Sequence, residues 1–175
     1  FTLYDVPTAT ALSPSRGPLA GGVTVTITGT NFATGLTTVT FGGTAGTSVN
    51  VTSATSLTVV APAGSAGTVD VTVATPGGTS STSGSGNDFT YWAAATVTSV
   101  VPSSGPIAGG TSVTITGANF DAVSSVTFGG TNATSFTVNS TTSITAVAPA
   151  GSIGTVDVVV TASGGASSTT GTGND

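Results

Sequence analysis

The stretch GPLAGGVTVTITGTNF, residues 17–32, decides the fold because it is written again as GPIAGGTSVTITGANF at residues 105–120. The same words then follow each copy in the same order. VTFGGT stands at 39–44 and 126–131, APAGS at 61–65 and 148–152, GTVDV at 67–71 and 154–158, and GND at 86–88 and 173–175. A repeat of this period settles the architecture before any single motif does. The chain is two copies of one small module.

Within the repeat, residues 23–28 alternate strictly. Val23, Val25 and Ile27 share one face of a strand and Thr24, Thr26 and Thr28 the other, because successive side chains of a strand point to opposite sides. Val113 and Ile115 do the same in the second copy. Val69, Val71 and Val73 alternate with Thr68, Asp70 and Thr72, and Val156, Val158 and Val160 repeat the pattern. Further strands are expected near residues 9–12, 37–41, 48–52 and 56–60, with counterparts near 96–100, 124–128, 135–139 and 143–147. Gly21-Gly22, Gly42-Gly43, Pro62 to Gly64 and Pro76-Gly77-Gly78 mark turns between them. No segment has a helical period. Short strands with turns every 8–12 residues or so read as all-β, here two tandem immunoglobulin-like β-sandwiches. Gly29 and Gly117 are expected to end a strand at a sharp bend. Asn31 and Asn119 should hold the next turn through an Asx bond. Phe32, Phe120, Phe41 and Phe128 should point into the cores.

Composition narrows function by exclusion. Only 4% of the residues are charged, against about 25% in an ordinary domain. The single base is Arg16, and the acids are Asp5, Asp70, Asp88, Asp121, Asp157 and Asp175. A net charge of -5 rules out a phosphate-binding surface, so nucleic acid is not a partner. No apolar run approaches the roughly 18 residues of a spanning helix, so no membrane insertion is expected. With no His, Cys, Lys or Glu, a serine nucleophile lacks an ordinary activating base. The chain is read as not an enzyme.

The pattern GP-x-x-GG-x-x-VTITG-x-NF, then VTFGGT, then APAG-x-x-GTVDV, resembles the IPT/TIG domain over nearly the whole chain, twice. That family is the immunoglobulin-like module shared by plexins, some transcription factors and many bacterial surface proteins. The resemblance implies strings of modules serving as stalks, adhesins or accessory modules of secreted enzymes. The DNA-binding branch uses basic loops, and Arg16 alone does not match it.

The boundaries follow from the repeat. Residues 1–6 read as the final strand of a preceding module or as a donor strand. Residues 7–92 form the first domain, and residues 93–175 a second that lacks its own last strand. Phe89-Thr90-Tyr91-Trp92 closes the first copy, whereas the second stops at Gly173-Asn174-Asp175. Phe1-Thr2-Leu3-Tyr4 matches Phe89 to Trp92. Two readings stay open: a longer array cut at this boundary, or Phe1–Tyr4 of one molecule completing the second sandwich of the next. Phe1, Thr2, Leu3, Tyr4, Phe89, Tyr91 and Trp92 are therefore the candidate joint residues. The short linkers, Asp5-Val6-Pro7 and Ala93-Ala94-Ala95, predict a stiff rod.

Other chemistry is thinner. Calcium is the one plausible metal, at module joints near Asp5, Asp88 and Asp175, but such a site wants about 6–8 oxygen ligands. No cofactor is expected. Tyr4, Tyr91 and Trp92 offer rings to sugars, although aromatic residues at a joint more often pack against a neighbour. Thr24 to Thr30 form an outward threonine ladder of the kind strands simply favour. Asn50, Asn132 and Asn139 begin N-glycosylation triplets. The reading is an extracellular structural or adhesive repeat of a surface stalk or fibre. Its partners are copies of itself, neighbouring repeats or surface glycans. A carbohydrate-binding accessory module of a secreted enzyme is the alternative.

Overall fold

The structure, a computed structural model, describes residues 2–169 and 173. Phe1, Asn174 and Asp175 lie outside the described residues. The chain divides into two units, residues 1–92 and 93–175. Among the described residues there is no helix, hence none long and apolar enough to cross a membrane.

The first module holds β1 (Thr8–Ser13), β2 (Arg16–Pro18), β3 (Thr24–Thr30), β4 (Thr38–Phe41), β5 (Thr44–Ala45), β6 (Thr47–Ser53), β7 (Ser56–Val60), β8 (Gly67–Thr75), β9 (Gly78–Thr79) and β10 (Asp88–Trp92). One sheet runs β1-β3-β7-β6. The other runs β2-β10-β8-β4-β5, with β9 paired to β8. The alternation read from the sequence places Val25, Ile27, Leu57 and Val59 of the first sheet against Val39, Phe41, Val71 and Val73 of the second, all buried. Each such residue, taken from water, contributes about 1.5–3 kcal/mol. A core of this kind needs no disulfide.

The second module holds β11 (Thr96–Val101), β12 (Ser112–Ala118), β13 (Ser125–Phe128), β14 (Thr131–Asn132), β15 (Ser135–Ser140), β16 (Ser143–Val147), β17 (Val158–Ala162) and β18 (Gly165–Ala166). Its first sheet, β11-β12-β16-β15, copies its partner strand for strand. Its second is only β14-β13-β17-β18. Counterparts of β2 and β10 are missing among the described residues.

Several local expectations are corrected. Gly29 lies inside β3 rather than at its end, and its φ is not positive. Glycine is required there because a Cβ would run into the carbonyl of Thr8 and stand 2.7 Å from the ring of Phe32. Gly117 meets Thr96 and Phe120 in the same way. Asn31 and Asn119 make no local Asx bond. Both sit at positive φ, 61° and 59°, and their amides donate backwards to the carbonyls of Val6 and Ala94, each at 2.9 Å. Phe32, Phe120 and Phe41 are buried as expected, but Phe128 is only half-buried. Val156 lies outside β17 and is exposed.

Candidate strand-acceptor site

The two modules differ at one place, the seat of β10. In the first module β10 runs parallel to β2, pairing Thr90 with Arg16, Tyr91 with Gly17 and Trp92 with Pro18. It runs antiparallel to β8, pairing Asp88 with Asp70, Phe89 with Val69, Thr90 with Thr68 and Tyr91 with Gly67. The strand therefore fills a slot one strand wide.

Its alternation sends Phe89 and Tyr91 inward. The Phe89 ring stands edge-on to Phe41 at 5.2 Å and to Tyr91 at 5.0 Å, a geometry the ring quadrupoles favour. Tyr91 donates its hydroxyl to the carbonyl of Pro62 at 2.8 Å. Burial pushes the Tyr91 hydroxyl above its ordinary value near 10. Two glycines make the room. A Cβ on Gly17 would lie 2.9 Å from the Phe89 ring, and one on Gly64 would lie 2.7 Å from the Tyr91 ring. Outside the core, the hydroxyls of Thr68 and Thr90 lie 2.9 Å apart. The Arg16 guanidinium sits 4.9 Å over the half-buried Trp92 ring, a cation–π contact. Asn87 leads into the strand, buried, its amide donating to Asp70 at 3.4 Å and to the carbonyl of Val71 at 3.5 Å.

In the second module the same seat is an open groove of about 890 Å³, lined among others by Gly105, Pro106, Phe128, Gly151, Ile153 and Val156. Neither 103–106 nor 154–156 is in a strand. The frame around the groove is nonetheless intact. Gly64 N–H to Leu19 at 2.8 Å becomes Gly151 N–H to Ile107 at 2.9 Å. Gly22 to Ala61 becomes Gly110 to Ala148, and Gly42 to Asp70 becomes Gly129 to Asp157, all at 2.9 Å. A Cβ on Gly151 would meet nothing within 4 Å, so the space that the Tyr91 ring occupies in the first module stands open. Apolar side chains of the lining reach solvent: Ile153 is 93% exposed, Ile107 61% and Val156 44%.

The expected joint residues fall into two groups. Phe89 and Tyr91 belong to the core of their own sandwich, and Tyr91 packs there rather than between neighbours. Thr2 to Val6 lie outside any strand, with Leu3 83% exposed and Tyr4 also exposed. That segment leaves a fixed point, since Asn31 holds the Val6 carbonyl and Gly77 passes against the carbonyl of Asp5. The structure of Phe1 is not described. Asn50, Asn132 and Asn139 are exposed, on β6, β14 and β15, and Asn139 donates to Thr145 at 2.9 Å. Among the described residues no three His, Cys, Asp or Glu side chains gather where a metal would sit. The sequence reading missed the paired roles of Gly17 and Gly64. Their signal was present, since GP at 17 and AG at 63 recur at 105 and 150.

Comparison with known proteins agrees with the two-module fold. The family model described as IPT/TIG domain matches residues 7–91 and 95–174. No curated protein sequence matches the chain. Among solved structures, the plexin A4 extracellular region matches at 24% identity and a TM-score of 0.56, covering 91% of this chain and 17% of that one. SGBP-B from a xyloglucan utilization locus in Bacteroides uniformis matches at 24% identity and a TM-score of 0.40, covering 92% and 47%. The Yersinia pseudotuberculosis adhesin InvE matches at 18% identity and a TM-score of 0.36, covering 91% and 56%. The chain thus spans about a sixth of the plexin chain and about half of the other two. These likenesses concern the fold.

Proposed function

The chain belongs to the IPT/TIG domain family, and from that premise we propose a non-catalytic, extracellular role as a structural and adhesive repeat of a surface stalk or fibre. Copies join head to tail by strand complementation. One observation carries the reading: at the seat that β10 fills in the first module, the second presents an open groove within an intact frame among the described residues. An open sheet edge flanked by exposed Val and Ile invites another strand. Lysine and proline often guard such edges. The chain has no lysine, and no charged side chain lines the slot, which mixes Val, Ile and Phe with Gly, Pro, Ser and Thr.

The extracellular setting is supported by composition as well. The single basic residue, exposed Arg16, leaves trypsin one site. A carbohydrate-binding accessory module would need an exposed aromatic platform. Of the three candidate rings, Tyr91 is buried and Trp92 lies under Arg16, which leaves Tyr4 as the one exposed.

Electron microscopy of the native material, paired with intact mass, tests the proposal. Regular filaments built from a chain near 16.4 kDa are expected. Dispersed monomers at high concentration would overturn it, and saturable binding of a polysaccharide by such monomers would favour the accessory module.

A further inference from the structure

We propose that the chain carries N-linked oligosaccharides at Asn50, Asn132 and Asn139, and that these sugars guard the free edges of its sheets, a role independent of how copies join end to end.

The asparagines sort into two kinds. Asn31 and Asn119 donate to the carbonyls of Val6 and Ala94, and Asn87 is buried against Asp70 and Val71. None of these three begins an acceptor triplet, since the residues two places on are Ala33, Asp121 and Phe89. The other kind does: Asn50-Val51-Thr52, Asn132-Ala133-Thr134 and Asn139-Ser140-Thr141. All three are exposed. Each lies on a strand that ends its sheet among the described residues, namely β6, β14 and β15.

A chain this rich in Thr and Ser would scatter such triplets, but the repeat argues against scatter. Strand β15 is the counterpart of β6, yet the triplet is not copied: Asn50 corresponds to Thr137, and Asn139 to Thr52. The two modules reach one place with different residues. Asn50 pairs with Thr58 on β7. The Asn139 amide donates to the Thr145 hydroxyl at 2.9 Å, and Thr145 is the repeat counterpart of Thr58. Both asparagines therefore stand on the outer face, at the same spot of the same edge.

These edges lack the ordinary guard. The last strand of a sheet presents unpaired N–H and C=O groups, which charged side chains, lysine above all, usually protect from pairing. The β1-β3-β7-β6 and β11-β12-β16-β15 sheets contain no charged residue. A bulky, hydrated oligosaccharide supplies by volume what charge does not. The donor is an oligosaccharide carried on a lipid diphosphate, supplied with its transferase by the cell that exports the chain. The asparagine Nδ2 attacks the anomeric carbon, so a C–N bond forms. The C–O bond to the diphosphate breaks, and the lipid diphosphate leaves with the electron pair. One amide proton passes to a base of the transferase, and nothing is oxidised or reduced. In the folded chain the Thr52 hydroxyl donates to the Ser56 carbonyl at 2.9 Å and the Asn139 amide is engaged, so transfer precedes closure of these edges.

Glycopeptide mass spectrometry of the native chain tests the sites. Elastase makes the peptides, because Arg16 gives trypsin a single cut, and fragmentation locates each sugar. Sugar on Asn50, Asn132 and Asn139, and on no other asparagine, is expected. A bare asparagine overturns the assignment at that site. Bare Asn50 and Asn139 together, or sugar on Ser and Thr alone, overturn the proposal. Sedimentation tests the guard. The variant Asn50→Gln, Asn132→Gln, Asn139→Gln, made in the same source, should form larger species than the native chain at equal concentration. Thr52→Ala with Thr141→Ala removes the sugars at 50 and 139 while keeping both asparagines, and should act in the same direction if glutamine disturbs an edge. Sugars present in the native chain, with neither variant associating further, overturn the guard and leave the sites standing.

Discussion

Tyr91 does two things with one side chain: its ring meets the edge of Phe89 and its hydroxyl closes on Pro62. Tyr91→Phe keeps the first and loses the second. It should cost about 1 kcal/mol in the first module and nothing in the second, read as two separate transitions in urea. Phe89→Ala removes the centre of the aromatic trio and should cost about 3–5 kcal/mol in the same assay. The raised Tyr91 hydroxyl gives a pH signature. Folding favours the protonated phenol, so its contribution is fully present below the unfolded value near 10 and is lost as pH rises through the folded value. Melting curves from pH 9 upward should show the first module falling alone, since the chain's only tyrosines are Tyr4 and Tyr91. At this scale the sequence was partly legible. Phe32 and Phe41 were readable as core because each ends or follows an alternating run. Asn31 was misread because its partner, Val6, lies 25 residues away, and nothing local marks it.

Among the elements, β8 has nine residues and β17, its repeat counterpart, five. The missing residues are those that β10 would pair. The first half of β8 bonds to β10 and the second half to β4, so without β10 the first half has no ladder to join. Amide exchange should therefore be fast at 154–156 and slow at 67–69. A peptide of the β10 sequence, Asp-Phe-Thr-Tyr-Trp, added to the full chain should slow the former and leave the latter unchanged. Failure to protect 154–156 would mean that the slot is not a strand seat. The alternation at Val156, Val158 and Val160 was legible, yet alternation reports which face a residue would take in a strand. Whether the strand forms depends on a partner elsewhere, which the local pattern does not encode. The short strand β2 went unread for the same reason: Arg16-Gly17-Pro18 has no strand pattern and owes its conformation to β10 alone. Ser80 and Ser167 were equally silent, though each is buried, its hydroxyl accepting the N–H of Val73 or Val160 at 3.0 and 3.1 Å.

For the whole molecule, a charged fraction of 4% sets how association responds to solvent. Screening weakens contacts between exposed charges, and here few exist to weaken. Excluded salts strengthen apolar burial. Self-association should hold or tighten from low salt to molar sulfate, and a marked loss by sedimentation would show that charge, not the slot, holds copies together. The tandem layout itself was legible from the repeat, whereas the depth of the slot was not, because volume depends on side chains that no repeat lists. The direction of β2 has a further consequence. Tension on the first module enters at Pro7 and leaves at Trp92. Since β2 and β10 run parallel, it drags them past each other along their length, so their bonds strain together instead of parting one at a time like a zip. Forced rupture follows the barrier to unfolding, and this arrangement raises it. Pulled by its ends, the first module should resist far more than a second module with an empty slot. A strand seated in that slot should restore the resistance, because the joint would then be loaded in shear rather than peeled.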